Sequence, residues 1–369
     1  MKEYINGPIN CVRLEGQIDN INKILYVFFD VHIPVQYQTE CTDIRAIEFK
    51  NYLIKNFDMA AKNNINIDFF LEMYTIYGVF DDKYHKHYKY KKIYLANIRK
   101  FFKQNFNFDR KANKIYESKH FPAVRLHYID FRDLFIYDIL FYKLPDIMNY
   151  FDNYFWNRKF FNKENIIHLK NEINYIDQRI LFLKGFILDG KKIKGDKNSN
   201  IKVFEKIINK ILGAYENNDI KNTLKKYFLD TFAKYFNNYE KIINDMLEYF
   251  NELEKIVNDN NKLNDNNLYG QDISANVKIY LPKIWKMLDD LELIIYNISS
   301  FIIDIYFLRR LLDKKYISNS LVYTGAHHSC AYIFVLIKYF NFKITHSSYQ
   351  KIKSSKIEQI CKKVMILLI

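Results

Sequence analysis

Four short apolar runs, each closed by an acid, an arginine or a histidine, restrict this chain to few folds. Ile24-Leu25-Tyr26-Val27-Phe28-Phe29 ends in Asp30-Val31-His32, and Ile67-Asp68-Phe69-Phe70-Leu71 ends in Glu72. Ala123 to Ile129, with Arg125 and His127 inside it, is followed by Asp130-Phe131-Arg132-Asp133, and Leu321 to Thr324 is followed by Gly325-Ala326-His327-His328. Runs this short, bounded by polar or turn residues, read as buried strands of a parallel sheet. Ligands of open α/β sheets collect at the carboxyl ends of such strands. The polar closures therefore predict a site.

Residues 1–135 alternate strand and helix, which argues for parallel crossovers. Strands are expected at about 24–32, 66–72 and 122–130, with a helix from Asp43 to about Asn63. From about Leu134 to Lys315 apolar residues recur at helical spacing. Helices are expected at 134–151, 163–188, 201–215, 219–238, 239–258 and 281–315, the last with Pro282 in its first turn. Loops are expected at 189–200 and 258–276. The chain returns to strand at 321–327, to a buried helix at 329–340 and to a short edge strand at 342–344. The fold class expected is α/β: a mainly parallel sheet with helices on both faces, interrupted by a large all-helical insertion. Residues 1–135 open the α/β domain, 136–316 form the insertion and 317–369 close the domain.

Charge says less about partners than its size suggests. The formal net charge is +14, which would suit a polyanion. The lysines are spread along the chain among acids, and the favoured residues, Lys, Asn, Ile, Tyr and Phe, are those of A/T-rich codons. The composition thus carries no strong nucleic-acid signal. The densest basic stretch, Lys83 to Lys92, either holds phosphates and stacks bases or is a solvated face. No apolar leader follows Met1-Lys2-Glu3-Tyr4. Leu291 to Leu312 contains Glu292, Asn297, Asp304, Arg309 and Arg310, and reads as a buried amphipathic helix, so no transmembrane segment is expected. The apolar tail 364–369 is too short to cross a bilayer. None of Cys11, Cys41, Cys330 and Cys361 forms a CxxC pair. Reduced thiols are expected, with a Cys41–Cys330 disulfide feasible if their strands adjoin.

Strand alternation puts Asp30 and His32 on one face, and Arg125 and His127 on one face. Gly325 allows a tight turn or a close backbone approach before His328, and a helix starting at Ser329 would aim free N–H groups at the same place. His327 and His328 cannot both point inward, and His328 completes Gly-x-x-His. His85, His87, His120, His168 and His346 lack such context. Histidines with carboxylates form the ligand set of a divalent-metal hydrolase; without metal, a Glu or His could act as general base on water. The candidate catalytic residues are Asp30, His32, Glu72, His127 and His328. His32, Glu72 and His328 are the candidate divalent-metal ligands, and Arg125, Arg132 and Arg310 the candidates for holding an anionic group. Asp304, an acid in an apolar helix, either pairs with a nearby arginine or faces the site. Cys330 is a soft ligand, a nucleophile or a buried inert thiol.

Two resemblances add to these readings. Gly7 to Gly16, Phe29-Asp30-Val31-His32, Gln38-Thr39-Glu40-Cys41, Asp304-x-Tyr306 with Arg310, and Tyr323-x-Gly325-x-x-His328 resemble an uncharacterised family encoded by giant nucleocytoplasmic DNA viruses. That resemblance implies the host cytoplasm (the viral factory) or the virion as location, with viral or host proteins as partners. More distantly, Asp30-x-His32, Glu72, the basic cluster of the third strand and Gly325-x-x-His328 are similar to the erythromycin-esterase, ChaN and TraB/Tiki group. This second resemblance implies an α/β core with helical insertions and a hydrolase, metal-dependent in one branch, with His32, Glu72 and His328 carried over and Arg125, His127 or Arg132 as candidates. Phe29 stands where that group carries Gly. The two functional readings are a hydrolase and a non-catalytic viral structural or host-interaction protein that keeps a relic of the site.

Overall fold

A two-residue turn sets the start of the sheet. Asp19 and Asn20 both adopt positive φ, 50° and 62°, the conformation that lets two residues close a hairpin in step with strand twist. Strands β2 (Asn10–Ile18) and β3 (Ile21–Asp30) therefore pair antiparallel along their whole length. The computed structural model describes residues 3–32, 46–74, 94–109, 114–136, 139–155, 163–191, 199–263, 271–348 and 362–364. Gln38–Cys41, the basic stretch Lys83–Lys92, Cys361 and residues 365–369 lie outside the described residues.

Two compact units divide the chain. The first comprises Met1–Asp133, Lys210–Leu224 and Ile303–Ile369, and the second Leu134–Asn209 and Lys225–Ile302. The last turns of the final long helix thus belong with the sheet.

In the first unit, β1 (Glu3–Asn6) and β4 (Ala46–Glu48) pair in a small sheet with β11 (Lys362–Val364). Helix α1 (Phe49–Lys62), β5 (Ile67–Tyr74), helix α2 (Tyr94–Asn105), the small hairpin β6 (Asn107–Asp109) and β7 (Lys114–Tyr116), and β8 (Val124–Asp130) follow. After the helical stretch come β9 (Asn319–Gly325), α8 (Ala326–Phe340) and β10 (Lys343–Ser348). The main sheet has the order β10-β2-β3-β9-β5-β8. Its β3, β9, β5 and β8 run parallel, while β2 and β10 join antiparallel. The sheet is therefore mixed rather than mainly parallel. The physical reason is the Asp19-Asn20 turn, which is too short for a crossover and can only return the chain antiparallel.

Side-chain alternation gives each strand two faces. Tyr26, Phe28, Phe69, Leu71 and Tyr323 join α1 and α2 in one core, in which Phe69 meets Phe102 at 4.4 Å and Phe28 meets Phe49 at 4.7 Å. On the opposite face Phe70 meets Phe307 edge-on at 4.9 Å, and Phe307 packs on Tyr332 of α8 at 4.2 Å. Both faces of the parallel strands are thus covered, and their near-continuous apolar runs follow from that.

The second unit contains α3 (Leu144–Phe155), α4 (Lys163–Ile187), and most of α5 (Ser199–Gly213), α6 (Asn218–Leu263) and α7 (Gln271–Asp313). Helix α6 runs unbroken where two helices are expected from sequence. Phe228, Phe232, Phe236, Tyr239, Ile243 and Met246 keep one buried stripe across Asn237-Asn238, and no Gly or Pro interrupts it. It packs antiparallel to α7, with Phe228 stacked on Phe301 and Tyr249 edge-on to Tyr280. Pro282 lies well inside α7, not in its first turn; buried Leu281, Ile284 and Leu288 hold the helix through it. The segment Ile279–Asp313 is long and apolar enough to cross a membrane, yet 72% of its apolar window is buried within the protein, as in a core helix.

Candidate functional site

The site forms where β3, β5, β8 and β9 end. At the end of β3 the backbone turns sharply, and His32 takes φ +52°, a left-handed conformation costly for a side chain with Cβ. Asp30 holds that turn. Its Oδ2 accepts the His32 backbone N–H at 2.9 Å and the ring Nδ1–H at 2.6 Å, and its Oδ1 accepts the Tyr323 hydroxyl at 2.9 Å. Asp30 is fully buried, while the His32 side chain is 34% exposed. With a carboxylate accepting at Nδ1, Nε2 is left facing the site.

Glu72 is the centre. It leaves β5 on the face shared with Asp68 and Phe70 and is buried. Its Oε2 accepts the Gly325 N–H at 2.6 Å and its Oε1 accepts Arg132 Nη2 at 3.0 Å. His32 Nε2 lies 3.6 Å and His328 Nε2 3.8 Å from Oε1. Arg99 of α2 fixes the Glu72 backbone by donating to its carbonyl at 2.7 and 2.9 Å. Arg132, just past β8, is clamped by Asp130 through Nε at 3.0 Å and Nη2 at 2.7 Å. His328 sits in the first turn of α8, 1% exposed, with its Nδ1 2.6 Å from Asp304 Oδ1 of α7. Its Nε2 is buried without a hydrogen-bond partner among the described residues. Two aspartate–histidine dyads thus aim Nε2 atoms at one glutamate.

Electrostatics follow from this packing. Burial opposes charge on His32, but Glu72 and Asp30 outweigh it and hold the ring's pKa up at about 10. Burial also opposes charge on His328; Asp304 and Glu72 again win, and its pKa is raised. Burial would raise Glu72, yet His32, His328 and Arg132 around it hold its carboxyl well below the usual range. Glycine is required at 325 for space. A Cβ there would lie 3.0 Å from His32 Nε2 and 3.4 Å from Glu72 Oε2.

His32, Glu72 and His328 do not fit a bound metal ion. Both Glu72 oxygens are occupied by N–H donors, from Gly325 and Arg132. Among the described residues, no group of three or more His, Cys, Asp or Glu side chains is arranged to hold an ion.

Of the residues expected to share a site, Asp30, His32, Glu72, Arg132 and His328 come together. His127, Arg125 and Arg310 do not join them. His127 is four residues into β8 rather than at its end, and its Nε2 meets Asp68 Oδ1 at 2.7 Å. Asp68 lies four residues before Glu72, about 13 Å back along the strand. Arg125 pairs with Asp68 there, and Arg310 reaches Tyr316. Of the two readings of Asp304, the pairing is with His328, not an arginine. His327 is exposed, and Cys330 is an exposed free thiol rather than a buried one. Sequence reasoning missed Tyr323 as the second partner of Asp30 and Arg99 as the clamp on Glu72. Tyr323 carried a signal, being the aromatic two residues before Gly325, whereas Arg99 on an amphipathic helix carried none.

Fold and site together define a mixed α/β protein with a helical second unit and a buried acid–histidine–arginine cluster at its parallel strand ends. The chain belongs to the family described as "Family of unknown function (DUF5847)", which it matches over residues 3–367. It is similar to three proteins of Acanthamoeba polyphaga mimivirus. Uncharacterized protein R160 is 31% identical, covering 98% of this chain and 91% of the relative. Uncharacterized protein R161 is 32% identical over 93% and 88%, and Uncharacterized protein R706 is 31% identical over 96% and 88%. No solved structure matches.

Proposed function

We propose that this protein is a metal-independent hydrolase in which His32 is the acid–base group. The observation that carries the reading is the Asp30–His32 dyad: a buried carboxylate fixes the ring at Nδ1 and turns Nε2 toward Glu72, on a strained backbone, in a histidine whose side chain is 34% exposed against 1% for His328. Asp30 selects the tautomer, as an orienting carboxylate does for a catalytic histidine. Neutral His32 Nε2 takes a proton from water as the water oxygen bonds to the scissile carbon, and returns that proton to the leaving group as its bond to the same carbon breaks. Glu72, held by Arg132 and Gly325, sets how tightly His32 keeps that proton. His328 and Asp304 are sealed and act on His32 only through Glu72. The motif resemblance to the erythromycin-esterase, ChaN and TraB/Tiki group agrees with this reading and rests on His32, Glu72, Arg132 and His328; the matched viral relatives carry no activity in their names.

Burial favours a second reading. Glu72 and His328 are each 1% exposed and Arg132 6%, so the same cluster can serve as an ionic staple across strand ends in a non-catalytic viral structural or host-interaction protein, in the virion or the host cytoplasm. Steady-state hydrolysis of a panel of aryl esters and peptides by wild type and His32→Gln separates them. The hydrolase reading expects turnover that falls about 100-fold or more in the variant. Equal background rates in both proteins leave the staple.

A further inference from the structure

A second charged group lies on the same face of β5, at the amino end of the sheet. Asp68 is fully buried and receives Arg125 in a two-pronged pair, Nε to Oδ1 at 2.8 Å and Nη2 to Oδ2 at 2.6 Å. Its Oδ1 also meets His127 Nε2, so the carboxylate is spent. Arg125 Nη2 donates on to the Tyr316 carbonyl at 3.0 Å, and its guanidinium lies 4.8 Å from the centre of the Tyr316 ring. Arg310, in the last turn of α7, reaches the hydroxyl of the same tyrosine from Nη2 at a long 3.4 Å. Its Nε is buried with no acceptor among the described residues.

That leaves a mismatch. Guanidinium is always charged; Asp68 is filled by Arg125 and His127, and Arg310 makes no ion pair among the described residues. The carbonyl end of α7 favours a cation in general but gives Nε no acceptor. An unpaired buried donor is costly, more so on a charged group. Phe70, stacked on His127 at 4.6 Å and edge-on to Phe307, stands on β5 between Asp68 and Glu72 and separates this group from the Glu72 cluster. Arg125 and Tyr316 are partly open to solvent, at 33% and 49%, so a small solute can reach the place.

We propose that Arg310 and Arg125, flanking Tyr316, form a binding site for a small tetrahedral oxyanion of the phosphate or sulfate class, distinct from the His32 centre. Guanidinium N–H groups match the oxygens of such an anion; Arg125, whose Nε and Nη2 already hold Asp68, adds chiefly its charge. The site needs neither His32 nor Glu72.

The test is calorimetric titration of the full chain with inorganic phosphate at constant ionic strength, with chloride as the matched control. The expected result is saturable binding at one site, weakened about tenfold or more in Arg310→Met and unchanged in His32→Gln. No saturable binding by wild type, or binding lost in His32→Gln and kept in Arg310→Met, overturns the proposal. Should Arg310→Met fail to fold, Tyr316→Ala removes the exposed ring that both arginines flank. Phosphate must then bind at least several-fold more weakly, and undiminished binding overturns the proposal equally.

Discussion

Replacing Glu72 by Gln removes the charge that His32 and His328 face. At the observed 3.6 Å between His32 Nε2 and Glu72 Oε1, the unscreened pair is worth about 4 to 5 kcal/mol at an effective dielectric constant of 20. The His32 side chain is a third exposed, and solvent screening cuts that figure to about 2 kcal/mol. Such a loss lowers the His32 midpoint by about 1.5 pH units, from about 10 toward the ordinary histidine range. The assay is NMR titration of ring resonances in histidine-labelled protein, with His32→Gln assigning the signal. A wild-type His32 that titrates near 6.5, or a midpoint that Glu72→Gln leaves in place, would refute the reasoning. The substitution also takes one of two carboxylates from Arg132, which keeps Asp130, and so costs less than the about 3 to 5 kcal/mol of a fully broken buried ion pair. A lowered Tm must accompany the shift.

Other outcomes follow from the same geometry. The folded His32 pKa lies above its unfolded value, so its contribution to stability is complete below about pH 6.5 and is lost as pH rises through about 10. Glu72 is shifted the other way, so its contribution is present above about pH 4.5 and lost on acidification; denaturant midpoints should therefore peak between these limits and fall on both sides. Gly325→Ala pushes a methyl group to 3.0 Å from His32 Nε2 and should cost about 1 to 3 kcal/mol by overpacking, read by urea unfolding, while Gly213→Ala, with open space around it, should not destabilise. Asn20→Val at φ 62° should cost about 1 to 2 kcal/mol, because a branched residue is forced left-handed, whereas Asn20→Gly should be tolerated. In the helical unit, Phe232→Ala should cost about 3 to 5 kcal/mol, with Phe232 fully buried in the α6 stripe.

Much of this arrangement is legible in the chain because parallel strands bring their carboxyl ends to one edge. Asp30, His32, Glu72, Arg132 and His328 each follow an apolar run, and their meeting needs no register beyond that rule. His127 and Arg125 sit within a run, so their depth depends on where β8 starts, and only pairing with β5 fixes that. The Asp19-Asn20 turn is readable as a hairpin from residue types that tolerate positive φ, flanked by Ile18 and Ile21. Weighting the strand–helix alternation of the whole opening region favours parallel crossovers and hides it. Helix α6 defeats a division at Asn237-Asn238, because two poor helix formers cost less than the burial of the aromatic stripe gains. Asp304 is ambiguous by nature: its helix presents arginines nearby, and only the packing of α7 beside α8 brings it to His328.

The pH dependence of kcat/KM, on whichever ester or peptide the wild-type protein turns over, tests the central claim most directly. If His32 is the acid–base group, the profile has a limb whose midpoint coincides with the His32 midpoint seen by NMR, near 10. That limb shifts acidward in Glu72→Gln and is absent in His32→Gln. A limb that ignores Glu72→Gln, or activity that survives intact in His32→Gln, would contradict the account.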